Sequence, residues 1–195
     1  MVKGIQNIKT ALNDVDARPI YLTSFLYISG FAFFVSFSAI YLVQRFGLSP
    51  AAIGTFFGIV GGWMIFTQLF LLRILTKYFS ERRILRFSIL MMGSGLLIFP
   101  FLPSVALVYA IMPVIAIGNG LSIANVSALI SKGVSAEKQG AALGINGSLV
   151  ALGNGVIPII AGAASAFFGI GTPFILGSLF VLAAWMVLFG TRFTL

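Results

Sequence analysis

Six long apolar segments divide the chain, and most polar residues fall between them. We number them spans 1 to 6; they cover residues 20–44, 51–72, 84–102, 105–130, 141–168 and 173–189. Each reaches or approaches the roughly 20 apolar residues with which a helix crosses a bilayer core. Because lipid offers the backbone no hydrogen-bond partners, helices are the natural spanning structure. The pattern therefore predicts an all-α integral membrane protein with six transmembrane helices.

Basic side chains lie almost entirely on one side of these spans. Eleven of the twelve Lys and Arg residues precede span 1, lie between spans 2 and 3 or at the start of span 3, lie between spans 4 and 5, or follow span 6. Arg45 alone lies on the opposite side. Since loops rich in Lys and Arg stay in the cytoplasm, both termini are predicted to be cytoplasmic.

Residues 1–18 form a polar segment ahead of the first span. Ile5, Ile8, Leu12 and Val15 recur in it at spacings of three and four. This periodicity predicts a short amphipathic helix on the inner membrane face. A linker with chance periodicity is the alternative. We thus divide the chain into a cytoplasmic amphipathic linker, residues 1–18, and a transmembrane bundle, residues 19–195.

The six spans differ in their content of polar and small residues, and the order of these three types of span repeats. Spans 1 and 4 mix polar and apolar residues, spans 2 and 5 carry stripes of small residues at four-residue spacing, and spans 3 and 6 are smoothly apolar. The stripes consist of Gly54, Gly58 and Gly62 in span 2 and of Gly140, Gly144 and Ser148 in span 5. Small residues let helices approach closely in lipid, so both stripes predict tight helix contacts. A three-span unit used twice must be inverted in the membrane.

The composition excludes several function classes. The chain has no Cys and no His, and its four acidic residues lie outside the spans. It therefore lacks thiol nucleophiles, the commonest metal ligands and any carboxylate or imidazole base within the spans, and we expect no catalytic residue, no metal and no cofactor. The net charge of +8 resides in loops beside the membrane, where topology and lipid headgroups account for it, so no nucleic-acid partner is expected.

Three segments resemble the major facilitator superfamily of transporters. Residues 131–144 (SKGVSAEKQGAALG) are similar to that family's link between the tenth and eleventh spans, most closely in the drug:proton antiporter, tetracycline-efflux-like branch. Residues 41–49 (YLVQRFGLS) look like its link from the seventh to the eighth span. Residues 73–83 (RILTKYFSERR) look like the degenerate second copy of its basic cytoplasmic loop. Pro158 follows Ile157 where the family commonly has a Gly-Pro pair, so that element is imperfect.

The resemblance implies the C-terminal half of a twelve-span transporter. It implies alternating-access transport of a small amphipathic solute, with efflux favoured, in a bilayer such as the bacterial inner membrane. It also implies a partner bundle, either an N-terminal half or a second copy of the chain. Spans 1 and 4 would line the substrate cavity, spans 2 and 5 would face the other half, and spans 3 and 6 would support them. A non-transporting assembly or interaction protein on the same fold is the alternative function.

Polar and aromatic residues in these spans are candidates for contact with a solute. They are Tyr27 and Phe34 in span 1, Gln68 in span 2, Asn119, Ser122 and Asn125 in span 4, and Asn146 and Asn154 in span 5. The three candidates of span 4 cover an arc of ~120° and can share one face of a helix. The alternative for each is a hydrogen bond between helices, which contributes ~0.6 kcal/mol on average.

The basic loop between spans 2 and 3 has two possible roles. It can set topology and contact lipid headgroups. It can also act as a conformational latch, in which Arg73, Arg82 or Arg83 pairs with a helix C-terminus or a carboxylate. No Asp, Glu or His lies inside the spans. Proton coupling needs an ionisable relay, so we expect that relay to lie on the other half.

Overall fold

A computed structural model describes residues 18–190, and all regular structure in that range is helical. We label the six long helices α1 to α6; they are Arg18–Phe46, Pro50–Tyr78, Glu81–Phe101, Val105–Lys132, Ala136–Phe168 and Thr172–Gly190. Each is long and apolar enough to cross a membrane. The predicted all-α fold with six spans is confirmed. Arg18, assigned to the linker from the sequence, already belongs to α1, and the predicted amphipathic helix lies outside the described residues.

Short capped turns connect the helices on the side opposite the basic loops. Ser49 accepts a hydrogen bond from the Ala52 backbone nitrogen at 3.3 Å, and Ser104 caps α4 in the same way. Such side-chain caps satisfy amide groups that a helix start leaves free. Gly47 adopts a φ of +64°, a left-handed conformation that glycine reaches without a steric penalty. These caps and the turn at Gly47 reverse the chain, so that consecutive helices run in opposite directions.

The packing pattern repeats between the first three helices and the last three. Helix α1 packs against α6 and α5, and α4 packs in the equivalent way against α3 and α2, while α3 and α6 pack against each other. Exchanging α1, α2 and α3 with α4, α5 and α6 leaves this pattern unchanged. Because successive helices run in opposite directions, two three-helix units related in this way are inverted repeats.

An aromatic cluster fills the bundle between α1, α3 and α6. The Phe34 ring lies 5.5 Å from the Phe99 ring, centroid to centroid, and Phe99 lies 4.7 Å from Phe174. Tyr41 donates a hydrogen bond to the Pro100 carbonyl at 3.0 Å. Phe34 is completely buried in this cluster. In this structure it is a core residue and does not line the cavity described below, so its predicted contact with a solute stays a prediction.

Helices α1 and α6 meet at a pair of facing glycines. A Cβ atom added to Gly177 would lie 2.7 Å from the Gly30 carbonyl oxygen, and one added to Gly30 would lie 2.5 Å from the Gly177 carbonyl oxygen. Since real Cβ atoms do not approach backbone oxygens this closely, a side chain at either position must push the helices apart. The two glycines therefore allow α1 and α6 to approach each other closely.

Replacing Gly177 with alanine should destabilise the bundle by about 1–3 kcal/mol, the cost typical of overpacking. Thermal unfolding of the purified chain in detergent measures the effect. Gly58→Ala is the matched control because a Cβ there meets no atom within 4 Å. Equal unfolding temperatures for the two variants would show that the α1–α6 contact is not tight.

Candidate functional site

A partly open cavity of about 580 Å³ lies between α1, α4 and α5. Its wall on α1 is formed by Tyr27, Ile28, Phe31, Ala32, Val35 and Ser36; that on α4 by Asn119, Ile123, Val126 and Ser127; and that on α5 by Asn146, Val150 and Asn154. Four residues predicted from the sequence thus come together here: Tyr27, Asn119, Asn146 and Asn154. None of the lining residues carries a formal charge.

Two of the amides in the cavity are held by neighbouring side chains. Ser24, fully buried on α1, donates a hydrogen bond to Oδ1 of Asn146 at 2.5 Å. Nδ2 of Asn119 lies 3.7 Å from the Met64 sulfur, which accepts a weak hydrogen bond. Asn119 and Tyr27 are each only 1% exposed, so both side chains are packed in a largely apolar setting.

The rest of the lining is apolar and partly aromatic. Phe31 offers a ring, and Val35, Val126 and Val150 offer aliphatic surface. A mainly apolar pocket with a few fixed polar groups is typical of a site that binds and orients a small molecule. The chemistry available here is hydrogen bonding and apolar contact, which suits an amphipathic solute.

Ser122 and Asn125 do not reach this cavity. Ser122 is buried against α3, where its hydroxyl lies 2.9 Å from that of Ser88, and it donates to the Gly118 carbonyl at 2.8 Å. Asn125 is buried and donates to the Leu121 carbonyl at 2.7 Å. For both residues the structure favours the alternative role, a polar contact within or between helices.

Gln68 also lies away from the cavity, which no residue of α2 lines, in a π-helical turn at Thr67–Leu71. In this wider turn Thr67 is buried and faces α4, where a Cβ added to Gly120 would lie 3.2 Å from it. Gln68 is left exposed. No sequence signal indicated this turn or its contact with Gly120 on α4.

Several lining residues were missed by sequence reasoning, although their spacing could have identified them. The α5 wall follows the spacing i, i+4, i+8 through Asn146, Val150 and Asn154. The α4 wall follows i, i+4, i+7, i+8 from Asn119 to Ser127. These are the spacings of one helix face. Extending each stripe from a polar candidate would have added Val150, Ile123 and Ser127.

The small-residue stripes make no tight contact inside the described bundle. A Cβ added to Gly54, Gly58, Gly62, Gly140 or Gly144 would meet nothing within 4 Å, and Ser148 donates only to Gly144 of its own helix. Only 17% of the most apolar stretch of α2 and 28% of that of α5 are buried, against 56% for α1. Both stripes face outward in the described bundle, so the tight contacts expected of them stay a prediction about a second bundle.

Two arginines bind the C-terminal end of α6. Nη2 of Arg82 donates to the Leu188 carbonyl at 3.3 Å. Nη2 of Arg86 donates to the carbonyls of Leu188 at 3.2 Å and Phe189 at 3.3 Å, and its guanidinium lies 5.1 Å from the centroid of the Phe189 ring. Cations favour a helix C-terminus, where carbonyl groups lack partners.

The other latch candidates lie elsewhere. The Arg83 guanidinium lies 5.8 Å from the centroid of the Phe79 ring, and both Arg83 and Arg73 are exposed. Arg86, which the sequence did not single out, takes the place expected of Arg83. Nearby, Lys132 at the end of α4 forms an ion pair with Glu81 at the start of α3.

Replacing Arg82 and Arg86 together with Gln should loosen the last turn of α6. Hydrogen bonds to charged groups contribute roughly 1.5–3 kcal/mol, so amide exchange there should accelerate about tenfold or more. Hydrogen exchange measured by mass spectrometry on the chain in nanodiscs reads this directly. The double variant Arg73→Gln with Arg83→Gln is the control and should leave that turn unchanged. Equal exchange rates in both double variants would show that Arg82 and Arg86 do not stabilise the last turn of α6.

Six membrane-spanning helices in two inverted repeats, with a cavity between α1, α4 and α5, define a multi-pass transporter fold. A family model described as Major Facilitator Superfamily matches residues 20–194. The chain belongs to that family.

Individual relatives agree with this assignment. The chain is 28% identical over 164 residues to Multidrug resistance protein 1 of Bacillus subtilis (strain 168), an alignment that covers 81% of this chain and 41% of the relative. The crystal structure of the human organic anion transporter MFSD10 (TETRAN) matches with a TM-score of 0.82 at 20% identity, covering 88% of this chain and 40% of that one. That of a peptide transporter, POT, in complex with sulfate matches with a TM-score of 0.78 at 18% identity, covering 89% and 37%. The chain thus spans well under half the length of each, and the two structures support the fold alone.

Proposed function

We propose that the chain is the C-terminal six-helix bundle of a secondary active transporter in the drug:proton antiporter, tetracycline-efflux-like branch. It moves a small amphipathic solute outward by alternating access, together with a second bundle. The observation that carries this proposal is the uncharged cavity between α1, α4 and α5, where amide groups stand among aromatic and aliphatic side chains. The alternative function, a scaffold without transport activity, does not require such a cavity.

The second bundle docks on α2 and α5. Both helices are poorly buried, and both present their small-residue stripes to the outside. In lipid, such stripes favour close helix pairing. The coverage of only 41% of Multidrug resistance protein 1 agrees with a partner of similar size. An N-terminal half is the proposed partner, and a second copy of this chain is the alternative.

The second bundle also supplies the coupling group. The lining residues include no Asp, Glu, Lys or Arg, so this half of the cavity binds solute without carrying a proton relay. The bundle lies in the plasma membrane, which is the inner membrane of a bacterium, with both termini in the cytoplasm. The one-sided distribution of Lys and Arg supports this orientation.

Efflux from intact cells tests the proposed function. Cells that carry a disrupted copy of the gene should retain phenylnaphthylamine, an uncharged amphipathic fluorophore, several times longer than cells that carry the intact gene. Collapse of the proton gradient should remove the difference. Equal retention by both strains across a panel of such fluorophores would contradict a role in efflux.

A further inference from the structure

The amides on the α4 and α5 walls of the cavity have opposite orientations. Ser24 donates to Oδ1 of Asn146 at 2.5 Å, which occupies the acceptor end of that amide. The amide NH₂ group of Asn146 is then the end left to meet a solute. An amide has two donor hydrogens on nitrogen, so the α5 wall offers hydrogen-bond donors.

Asn119 on the α4 wall is turned the other way. Its Nδ2 lies against the Met64 sulfur at 3.7 Å, while its Oδ1 accepts no hydrogen bond from any residue in 18–190. Asn119 is among the residues that line the cavity, so its oxygen is the end of the amide left to meet a solute, and Asn119 offers a hydrogen-bond acceptor on the α4 wall.

Apolar groups surround these two polar ends. Phe31 and Val35 on α1 and Val150 on α5 line the same cavity, and none of its lining residues is charged. A charged solute group would lose its hydration here without gaining a counter-ion from this bundle, which is unfavourable. An aromatic or aliphatic group with uncharged polar substituents loses much less hydration free energy on entering the cavity.

We propose that this cavity binds the uncharged aromatic part of a solute through a hydrogen-bond acceptor, such as a carbonyl, at Asn146 and a hydrogen-bond donor at Asn119. Ser24 is the positioning residue for this polarity, because its hydroxyl donates to Oδ1 of Asn146 and leaves the NH₂ group of that amide for the solute. The inference rests on the proposed function, since it names the chemistry of the solute that the transporter would carry.

Three naphthalene probes separate the two hydrogen bonds. Naphthamide carries a carbonyl and an NH₂ group, naphthyl methyl ketone carries only the carbonyl, and propylnaphthalene carries neither. Binding of each to the full chain in nanodiscs is measured against empty nanodiscs of the same lipid. A net hydrogen bond is worth roughly 0.5–1.5 kcal/mol, so loss of one should weaken binding about three- to tenfold.

Ser24→Ala and Asn146→Leu should each weaken the ketone and the amide by that factor and leave propylnaphthalene within about twofold. Asn119→Leu should weaken naphthamide alone. Ser94→Ala is the matched control for Ser24, because Ser94 is exposed on α3 and donates only within its own helix, to Leu90. It should change none of the three affinities.

Equal weakening of all three probes by Ser24→Ala would show a structural role only and overturn the positioning assignment. An unchanged ketone affinity in Asn146→Leu, or no binding to the wild-type chain above empty nanodiscs, would overturn the assigned polarity. Failure of the proposed function is distinguishable. If the probes follow the expected pattern but gene disruption leaves efflux unchanged, the binding chemistry stands and transport fails.

Discussion

Replacement of Gly58 with leucine should abolish transport while the six-helix bundle stays folded. A Cβ at Gly58 meets no atom within 4 Å, and the position is exposed, so the larger side chain has room within this chain. On the proposed interface the same side chain would hold two helices apart where small residues let them approach. We expect efflux to fall to the level of the disrupted gene.

Two measurements separate assembly from folding in this variant. Thermal unfolding of the purified Gly58→Leu chain in detergent should match that of the wild type. Ser94→Leu places the same side chain at an exposed site on α3, outside the proposed interface, and should retain efflux. If Gly58→Leu transports normally, the α2 stripe is a lipid-facing surface and the docking of a second bundle there is wrong.

The second large effect is expected at Asn146. Asn146→Leu removes the donor group from the α5 wall and keeps a side chain of similar size, so efflux of hydrogen-bonding solutes should fall about tenfold, as when a bond in a desolvated site is lost. Because Asn146 is only partly buried, the amount of folded protein should stay within about twofold of wild type. Efflux per folded molecule is the quantity to compare.

Phe34→Ala provides the contrasting result. Phe34 is completely buried in the aromatic cluster, so its truncation should cost roughly 3–5 kcal/mol of stability, as for other buried phenylalanines. Folded protein should be lost, while efflux per folded molecule stays near wild type. The reverse outcome, in which the protein stays folded but efflux is lost, would indicate that Phe34 contacts the solute.

The membrane made the fold predictable from the sequence. In lipid, every backbone N–H and C=O group must be hydrogen-bonded within a helix, so the length of each apolar segment was enough to define six spans. The repeating order of polar, small-residue and apolar spans indicated the inverted repeat. The packing of α1 on α6 and of α4 on α3 repeats accordingly. Sequence reasoning succeeded here because one physical constraint dominates.

The candidate site was only partly predictable, because the border of a helix face depends on the neighbouring helices. Tyr27 and Phe34 are seven residues apart and lie on nearly the same side of α1, and the cavity wall on α1 extends from Tyr27 to Ser36, past the level of Phe34. Tyr27 reaches the cavity, whereas Phe34 lies where Phe99 and Phe174 fill the space. Only the three-dimensional packing distinguishes these positions.

Tertiary contacts explain the remaining differences. The spacing of Gly54, Gly58 and Gly62 indicates that a helix can approach closely but does not name the partner, which is absent from residues 18–190. Arg82 and Arg86 bind the end of α6, whereas Arg83, in the same basic segment, does not. That proximity joins residues about a hundred positions apart, which local pattern cannot show.

Uphill transport by the purified chain alone is the sharpest test of whether this bundle needs a second half. The chain is reconstituted in liposomes, a proton gradient is imposed, and uptake of radiolabelled naphthamide is compared with uptake by empty liposomes. Since no carboxylate or histidine lines the cavity and the α2 and α5 faces are unpaired within residues 18–190, we predict no gradient-dependent accumulation. Accumulation that requires both the chain and the proton gradient would contradict the account, because this bundle would then need no N-terminal half.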